Sequence, residues 1–319
     1  MGELSVRVLR IRAEAQDVRS FELTSADGAP LPAFSAGSHI DVHIADGLVR
    51  QYSLCSDPAE AGRYRIAVKR EPASRGGSQA MHERVREGDL LTISVPRNHF
   101  ALSPAAKHHL LVAGGIGITP LLSMAQQLLP SGAAFSLVYF SRSIAHTAFH
   151  EYLSTPEFRG RVSFHYALEP EQVRAYLRKL LWSRPADGHL YLCGPRPFMD
   201  LVETTAAPTW PPEAVHLEYF SADPASLAGP KGSFLVRLAR HGGEFEIAEG
   251  RTIIEVLAEH GIIVDTSCEQ GVCGTCLTGV LEGEPDHRDV FLTDAEKLAN
   301  DRMTVCVSRA KSPRLVLDL

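Results

Sequence analysis

No stretch of the 319 residues is long and apolar enough to cross a bilayer; the longest weakly polar run, Leu110 to Ala125, is broken by three glycines and one proline. The first dozen residues carry Glu3, Arg7, Arg10 and Arg12 and lack an apolar signal core, so a cytoplasmic protein without a membrane partner is expected. Basic charge is not in excess either. The net charge is −6, which makes nucleic acid a poor partner. There is no nucleophile elbow, Walker loop or zinc-peptidase helix, and no internal repeat. None of the 14 histidines forms a metal pair, and His108, His109 and His287 read as structural or surface residues. Cysteine is nearly missing from the first two thirds, where only Cys55 and Cys193 occur.

What is present is unevenly placed. Residues 1–222 hold 22 acidic and 22 basic side chains, whereas 223–319 hold 16 acidic and 10 basic, so the last third carries the whole charge excess and suits a basic patch on another protein. The same third contains Cys268, Cys273, Cys276 and Cys306. In a reducing compartment four such thiols suit metal ligation better than disulfides.

The hydrophobic period changes along the chain. Residues 1–104 alternate with period two in short strands (Ser5–Arg12, Val18–Thr24, His39–Ile44, Val49–Leu54, Tyr64–Arg70, Leu90–Val95), with turn signals at Asp27-Gly28, Asp46-Gly47 and Gly88-Asp89 and one helix at Gln79–Arg86. That pattern predicts a small antiparallel β-barrel. Residues 105–222 alternate strand-like runs, the last clear one His189–Cys193, with helical ones, which predicts βαβ units around a parallel sheet. Residues 223–231 read as a linker, rich in small residues and proline. Residues 232–319 open with a hairpin (Phe234–Leu238, Glu244–Ile247) and a helix (Ile253–His260) before the cysteine region.

The strongest motif is Cys268-x4-Cys273-x2-Cys276 followed, 29 intervening residues later, by Cys306. This is the plant-type ferredoxin spacing for a [2Fe–2S] cluster. Zinc favours paired Cys-x2-Cys half-sites, and only Cys273 and Cys276 make one. Gly271 and Gly274 allow the loop to turn tightly and aim N–H groups at sulfur, while Cys306 closes the site from a β-like segment, Met303–Val307.

A second motif, Gly114-Gly115-Ile116-Gly117-Ile118-Thr119-Pro120, falls where a strand ends and a helix begins. It suits a pyrophosphate, or a glycine turn that serves only packing. A third, Arg50-Gln51-Tyr52-Ser53, puts a cation and an aromatic ring on one strand face, and Arg75-Gly76-Gly77-Ser78 opens a helix in the same barrel. A fourth, Cys193-Gly194-Pro195, ends a parallel strand, where a small thiol faces a ligand crevice or is plain core; nothing nearby could activate it as a nucleophile. Cys55 reads as core.

These motifs, with Glu218-Tyr219-Phe220 and Gly283-Glu-Pro-Asp-His-Arg-Asp289, resemble the phthalate dioxygenase reductase family, which includes the reductase subunits of vanillate demethylases and related Rieske oxygenases. The resemblance spans essentially the whole chain. It implies a multidomain fold: an antiparallel β-barrel flavin domain, an α/β parallel-sheet NAD-binding domain and an α+β plant-type ferredoxin domain. It implies FMN held by Arg50, Tyr52 and Ser53 with Gly77 and Ser78 at its phosphate. Gly115, Gly117 and Thr119 would cradle the dinucleotide, Cys193 and Gly194 would flank the nicotinamide, and Phe220 would lie near the isoalloxazine ring. The four cysteines would hold the [2Fe–2S] cluster.

The implied activity is electron transfer from NADH through FMN and the cluster to a terminal Rieske oxygenase, by a chain that is a monomer before docking. A stand-alone NAD(P)H:ferredoxin or cytochrome oxidoreductase is the alternative. The family habit is NADH, although Ser141-Arg142-Ser143 stands where an acidic residue often takes the ribose, and Arg142 could meet a 2′-phosphate.

Overall fold

The computed structural model describes residues 2–45, 48–72, 76–220 and 232–319. The Asp46-Gly47 turn, Arg75 and the 223–231 linker lie outside the described residues. Among the described residues no helix is long and apolar enough to cross a membrane. Two compact units divide the chain, Met1–Glu218 and Tyr219–Leu319.

The first unit begins with β1 (Glu3–Ala15), β2 (Val18–Ser25), β3 (Ser38–Ala45), β4 (Leu48–Ser53), β5 (Tyr64–Lys69), α1 (Gly77–Glu83), β6 (Leu90–Ser94) and β7 (Arg97–Asn98). The strands run in the order β4-β3-β6-β1-β2-β5 with β7 on β3, all antiparallel. A bridge between Leu54 and Ile66 joins the two edges and closes the barrel. Alternation decides what is inside: Val6 and Val8 of β1, Phe21 and Leu23 of β2, Ile40 and Val42 of β3 and Ile93 of β6 fill the interior. The two-residue β7 carries too little pattern to be visible in sequence. The helix starts at Gly77 and ends by Arg84, not at Gln79–Arg86, because Gly76 takes the left-handed conformation (φ 87°) that turns the chain into it.

The unit continues with β8 (His108–Gly114), α2 (Ile118–Leu128), β9 (Ala134–Ser141), α3 (His150–Leu153), β10 (Val162–Tyr166), α4 (Pro170–Leu181), β11 (Gly188–Cys193), α5 (Arg196–Ala206) and β12 (Val215–Glu218). The parallel order is β10-β9-β8-β11-β12. Progress along the sheet reverses between β8 and β11, so a crevice opens at their carboxyl ends. Helix α4 has a capping box between Glu169 and Gln172 with Pro170 in its first turn, worth about 1 kcal/mol. The four-residue β12 escapes a period search.

Barrel and sheet share a core. Val18, Ala36, Cys55, Ala67 and Phe100 pack with Leu111, Ile118, Leu121 and Tyr191. Gln126 Nε2 donates to the Cys55 carbonyl at 2.9 Å and Ser123 Oγ to the Ser56 carbonyl at 2.9 Å. Cys55 is thus core, as its neighbours in sequence imply.

The second unit contains β13 (Phe234–Leu238), β14 (Glu244–Ile247), α6 (Ile253–Glu259), β15 (Leu277–Glu282), β16 (Pro285–Asp286), α7 (Asp294–Ala299), β17 (Arg302–Thr304), β18 (Arg309–Ala310) and β19 (Arg314–Leu317). Its mixed sheet has the order β14-β13-β19-β15-β17, with β13 and β19 parallel, and β16 pairs with β18. Phe234, Val236, Ile253, Leu257, Met303, Leu315 and Leu317 make a separate core. Capping boxes start both helices, Thr252 with Glu255 and Thr293 with Glu296. Cys306 lies in a turn beyond the end of β17 at Thr304, not on the β-like segment expected over Met303–Val307, because a turn lets its thiol face the loop that carries the other three.

Candidate functional site

On β4, Arg50 and Tyr52 face the same side, opposite Val42 and Ile40 of β3. The Arg50 side chain crosses the start of α1: a Cβ on Gly77 would stand 2.5 Å from its Cγ and 2.8 Å from its Nε. Only glycine allows a guanidinium to lie over that first turn, where free N–H groups and a cation together suit a phosphate. Ser78 sits in the same turn, its Oγ accepting from the Glu71 N–H at 3.1 Å. The Tyr52 hydroxyl is buried and has no hydrogen-bond partner among the described residues. A buried donor without a partner is costly, so a polar group from a bound ring fits there.

At the crevice between β8 and β11 the glycines divide by role. Gly115 has φ +54° and open space where a side chain would be, so its backbone is free for a ligand's approach. Gly117 is packed: a Cβ there would stand 2.1 Å from the Cys193 carbonyl oxygen. Gly114 and Gly194 abut each other and the Phe198 ring. The Thr119 hydroxyl turns inward and donates to the Ile116 carbonyl at 3.1 Å, which stiffens the turn. Arg142 lines a cavity of about 490 Å³ together with Asp17, Lys69, Arg70 and Glu71.

Cys193 is fully buried. Desolvation and then the neighbouring Glu218 push its thiol well above the usual range, which rules out a nucleophile. Glu218, its register partner on β12, accepts from Ser53 Oγ at 3.0 Å, so β4 of the barrel and β12 of the sheet meet at this carboxyl. Burial pushes Glu218 up to about 8, against the lowering effect of Ser53. At neutral pH it therefore holds a proton. Sequence reasoning gave it no role of its own; it entered only as the first residue of the Glu218-Tyr219-Phe220 motif.

A pH dependence follows. From the ordinary value of 4.5 up to about 8 the unfolded chain has released this proton while the folded chain keeps it. The first unit is accordingly most stable below that window and loses stability, on the order of a few kcal/mol, as pH rises through it. Thermal denaturation between pH 5 and 8 should show a flatter profile for Glu218→Gln than for the wild type; an unchanged profile excludes Glu218 as its source.

In the second unit Cys268, Cys273, Cys276 and Cys306 are all buried. Their thiols associate two by two. Cys273 is drawn below its usual range first by a hydrogen bond from Cys268, whose own proton is held more tightly, and Cys276 is lowered in the same way by Cys306. Backbone N–H groups point at the sulfurs, that of Gln270 reaching Cys268 Sγ at 3.3 Å and that of Gly271 serving Cys306. Gly271 (φ +67°) and Gly274 (φ +72°) make this possible, since a Cβ would strike Val307 and Asp289 at the first and the Phe291 ring at the second. Four buried thiols, two for each iron, fit a binuclear iron–sulfur cluster.

Comparison with known proteins agrees with this division. Residues 5–102 match an oxidoreductase FAD-binding domain and residues 236–311 a 2Fe-2S iron-sulfur cluster binding domain. The chain is 47% identical, over 99% of its length and 100% of the relative, to vanillate O-demethylase oxidoreductase of Pseudomonas sp. (strain HR199 / DSM 7063). It is 45% identical to phthalate dioxygenase reductase of Burkholderia cepacia, covering 100% of this chain and 98% of the other. The chain belongs to the phthalate dioxygenase reductase family. A solved phthalate dioxygenase reductase, described as a modular structure for electron transfer from pyridine nucleotides to [2Fe–2S], superposes with a TM-score of 0.80 at 43% identity, covering 100% of this chain and 98% of that one.

As a member of the phthalate dioxygenase reductase family it is an oxidoreductase with a flavin domain, a nucleotide-binding parallel sheet and a [2Fe–2S] domain. It is a reductase component of an oxygenase system and takes its electrons from NADH. Phe220, 39% exposed, follows Tyr219 at the start of the second unit.

Proposed function

We propose that this chain reduces the terminal Rieske component of an oxygenase, with FMN as its flavin. Arg50, Tyr52 and Ser53 hold the flavin, Gly77 and Ser78 its phosphate, and Phe220 covers its ring. Gly115, Gly117 and Thr119 shape the dinucleotide turn, Gly115 by free backbone and the other two by packing. Cys193 and Gly194 form the floor beside the nicotinamide, and Cys268, Cys273, Cys276 and Cys306 ligate iron.

When bound, the flavin takes a hydride from NADH and the cluster carries the electrons one at a time. The protein binds, orients and keeps water out; no side chain need act as acid or base, and Glu218 holds its proton beside Ser53. The division into 1–104, 105–222 and 232–319 assigns one of these tasks to each part. The acidic excess of residues 223–319, 16 acidic against 10 basic, favours a basic patch on the oxygenase; the reductase is cytoplasmic and, on the family's precedent, monomeric until it docks.

The observation that carries this reading is the association of four buried thiols as two pairs in a unit with its own core. An anaerobic absorption spectrum tests it. The purified protein should show flavin bands over a broad iron–sulfur shoulder, both bleaching on addition of NADH, and should turn over faster with a Rieske oxygenase than with cytochrome alone. Zinc on the cysteines, or a protein without any yellow prosthetic group, refutes it.

A further inference from the structure

Behind the cysteine loop lies a carboxylate that the electron route leaves without a task. The Asp289 side chain is fully buried. Its Oδ2 accepts from the Leu292 N–H at 2.7 Å and its Oδ1 from Ser308 Oγ at 3.4 Å. A Cβ on Gly271 would stand 2.9 Å from the Asp289 Cα and 3.0 Å from its Cβ, and the next residue, Val290, donates its N–H to the Gly271 carbonyl at 3.0 Å. Gly271 lies between Cys268 and Cys273, and Ser308 lies two residues beyond Cys306. Asp289 therefore touches both stretches of chain that bear the four thiols.

Its surroundings are not those of a compact ion pair. Lys297 Nζ donates to the Asp289 backbone carbonyl at 2.8 Å. His287, whose buried side chain fits the structural of its two readings, sets Nδ1 3.9 Å from Oδ1 while Nε2 meets Asn300 Oδ1 at 3.2 Å, and among the described residues Nδ1 makes no hydrogen bond. The neighbouring Arg288 guanidinium bonds Asp286 Oδ2 at 2.8 Å.

We propose that Asp289 is a positioning residue that clasps the two thiol-bearing segments and, through its buried charge, holds the reduction potential of the four-cysteine centre low. The proposal rests on the cluster reading above. An electron added to iron held by the four thiolates would add negative charge, and a fixed carboxylate behind the loop would oppose it in a medium that screens poorly. The centre then stays a ready donor to the next acceptor. If Asp289 served only to cap the Leu292 N–H, its charge would be immaterial, because an asparagine oxygen accepts the same bond.

The test is a potentiometric titration of the full-length holoprotein, followed by electron paramagnetic resonance of the reduced cluster. Asp289→Asn should raise the reduced-to-oxidised ratio at a fixed solution potential about tenfold, a positive shift of ~59 mV for a one-electron couple. A loaded Asp289→Asn protein with the wild-type potential overturns the proposal. Should the amide variant fail to retain iron, Ser308→Ala decides: without the hydroxyl that donates to Oδ1 the carboxylate charge is less offset and the potential should shift negative, and an unchanged potential there overturns the proposal equally. Wild-type protein without iron and sulfide would refute the cluster reading itself, and this inference with it.

Discussion

Serine in place of Cys273 leaves NADH-driven bleaching of the flavin intact and cuts electron delivery to the oxygenase to the rate without reductase. Arg50, Tyr52, Ser53, Gly77, Ser78 and the nucleotide-turn residues lie in a unit with a core separate from that of the four buried thiols, so a change among the thiols does not reach them. A serine hydroxyl ionises far less readily than a thiol and is a much poorer ligand for iron, so the centre is lost or badly altered. The check is a pair of rates on one preparation: flavin reduction by stopped flow, and product formed by the coupled oxygenase. Preserved delivery would contradict the route through these cysteines.

The second large effect belongs to the glycine turn. In Gly117→Ala the new methyl carbon would meet the Cys193 carbonyl oxygen at 2.1 Å and its carbon at 2.3 Å, both backbone atoms pinned by the β8–β11 ladder. The turn must move. Overpacking of this kind costs about 1–3 kcal/mol, and displacement of the turn should raise the KM for NADH at least about tenfold. Gly115→Ala is the contrast, since it meets no atom and pays only for φ +54°, roughly 1 kcal/mol. Steady-state reduction of ferricyanide measures both. A wild-type KM in Gly117→Ala would mean that close packing on β11 is not what this glycine provides.

Much of this architecture is legible in the chain because each part has its own period. Strict alternation in β1 to β6 announces a barrel, and the strand–helix rhythm from His108 onward announces a parallel sheet. The cysteine spacing is readable for a chemical reason: a cluster must be wrapped by one short loop and closed from one distant point. What escapes sequence is tertiary. Glu218 is special only because β12 brings it beneath Ser53, and Asp289 only because Gly271 folds against it. Thr119 and Gly117 stand at the right place in the motif, yet the fold uses the hydroxyl to stiffen a turn and the glycine to admit a neighbouring strand. The burial of His287 has the same origin, for nothing near it in the chain indicates that Asn300 will meet its ring.

The near-complete enclosure of the four sulfurs bears on how the protein is made. The cysteines are between 2% and 6% exposed and the loop glycines are packed against Val307, Asp289 and Phe291, so iron and sulfide reach the sulfurs more readily before the loop closes than after it. Loading of the centre and the last folding step of this region are therefore coupled, and iron should protect the loop from proteolysis.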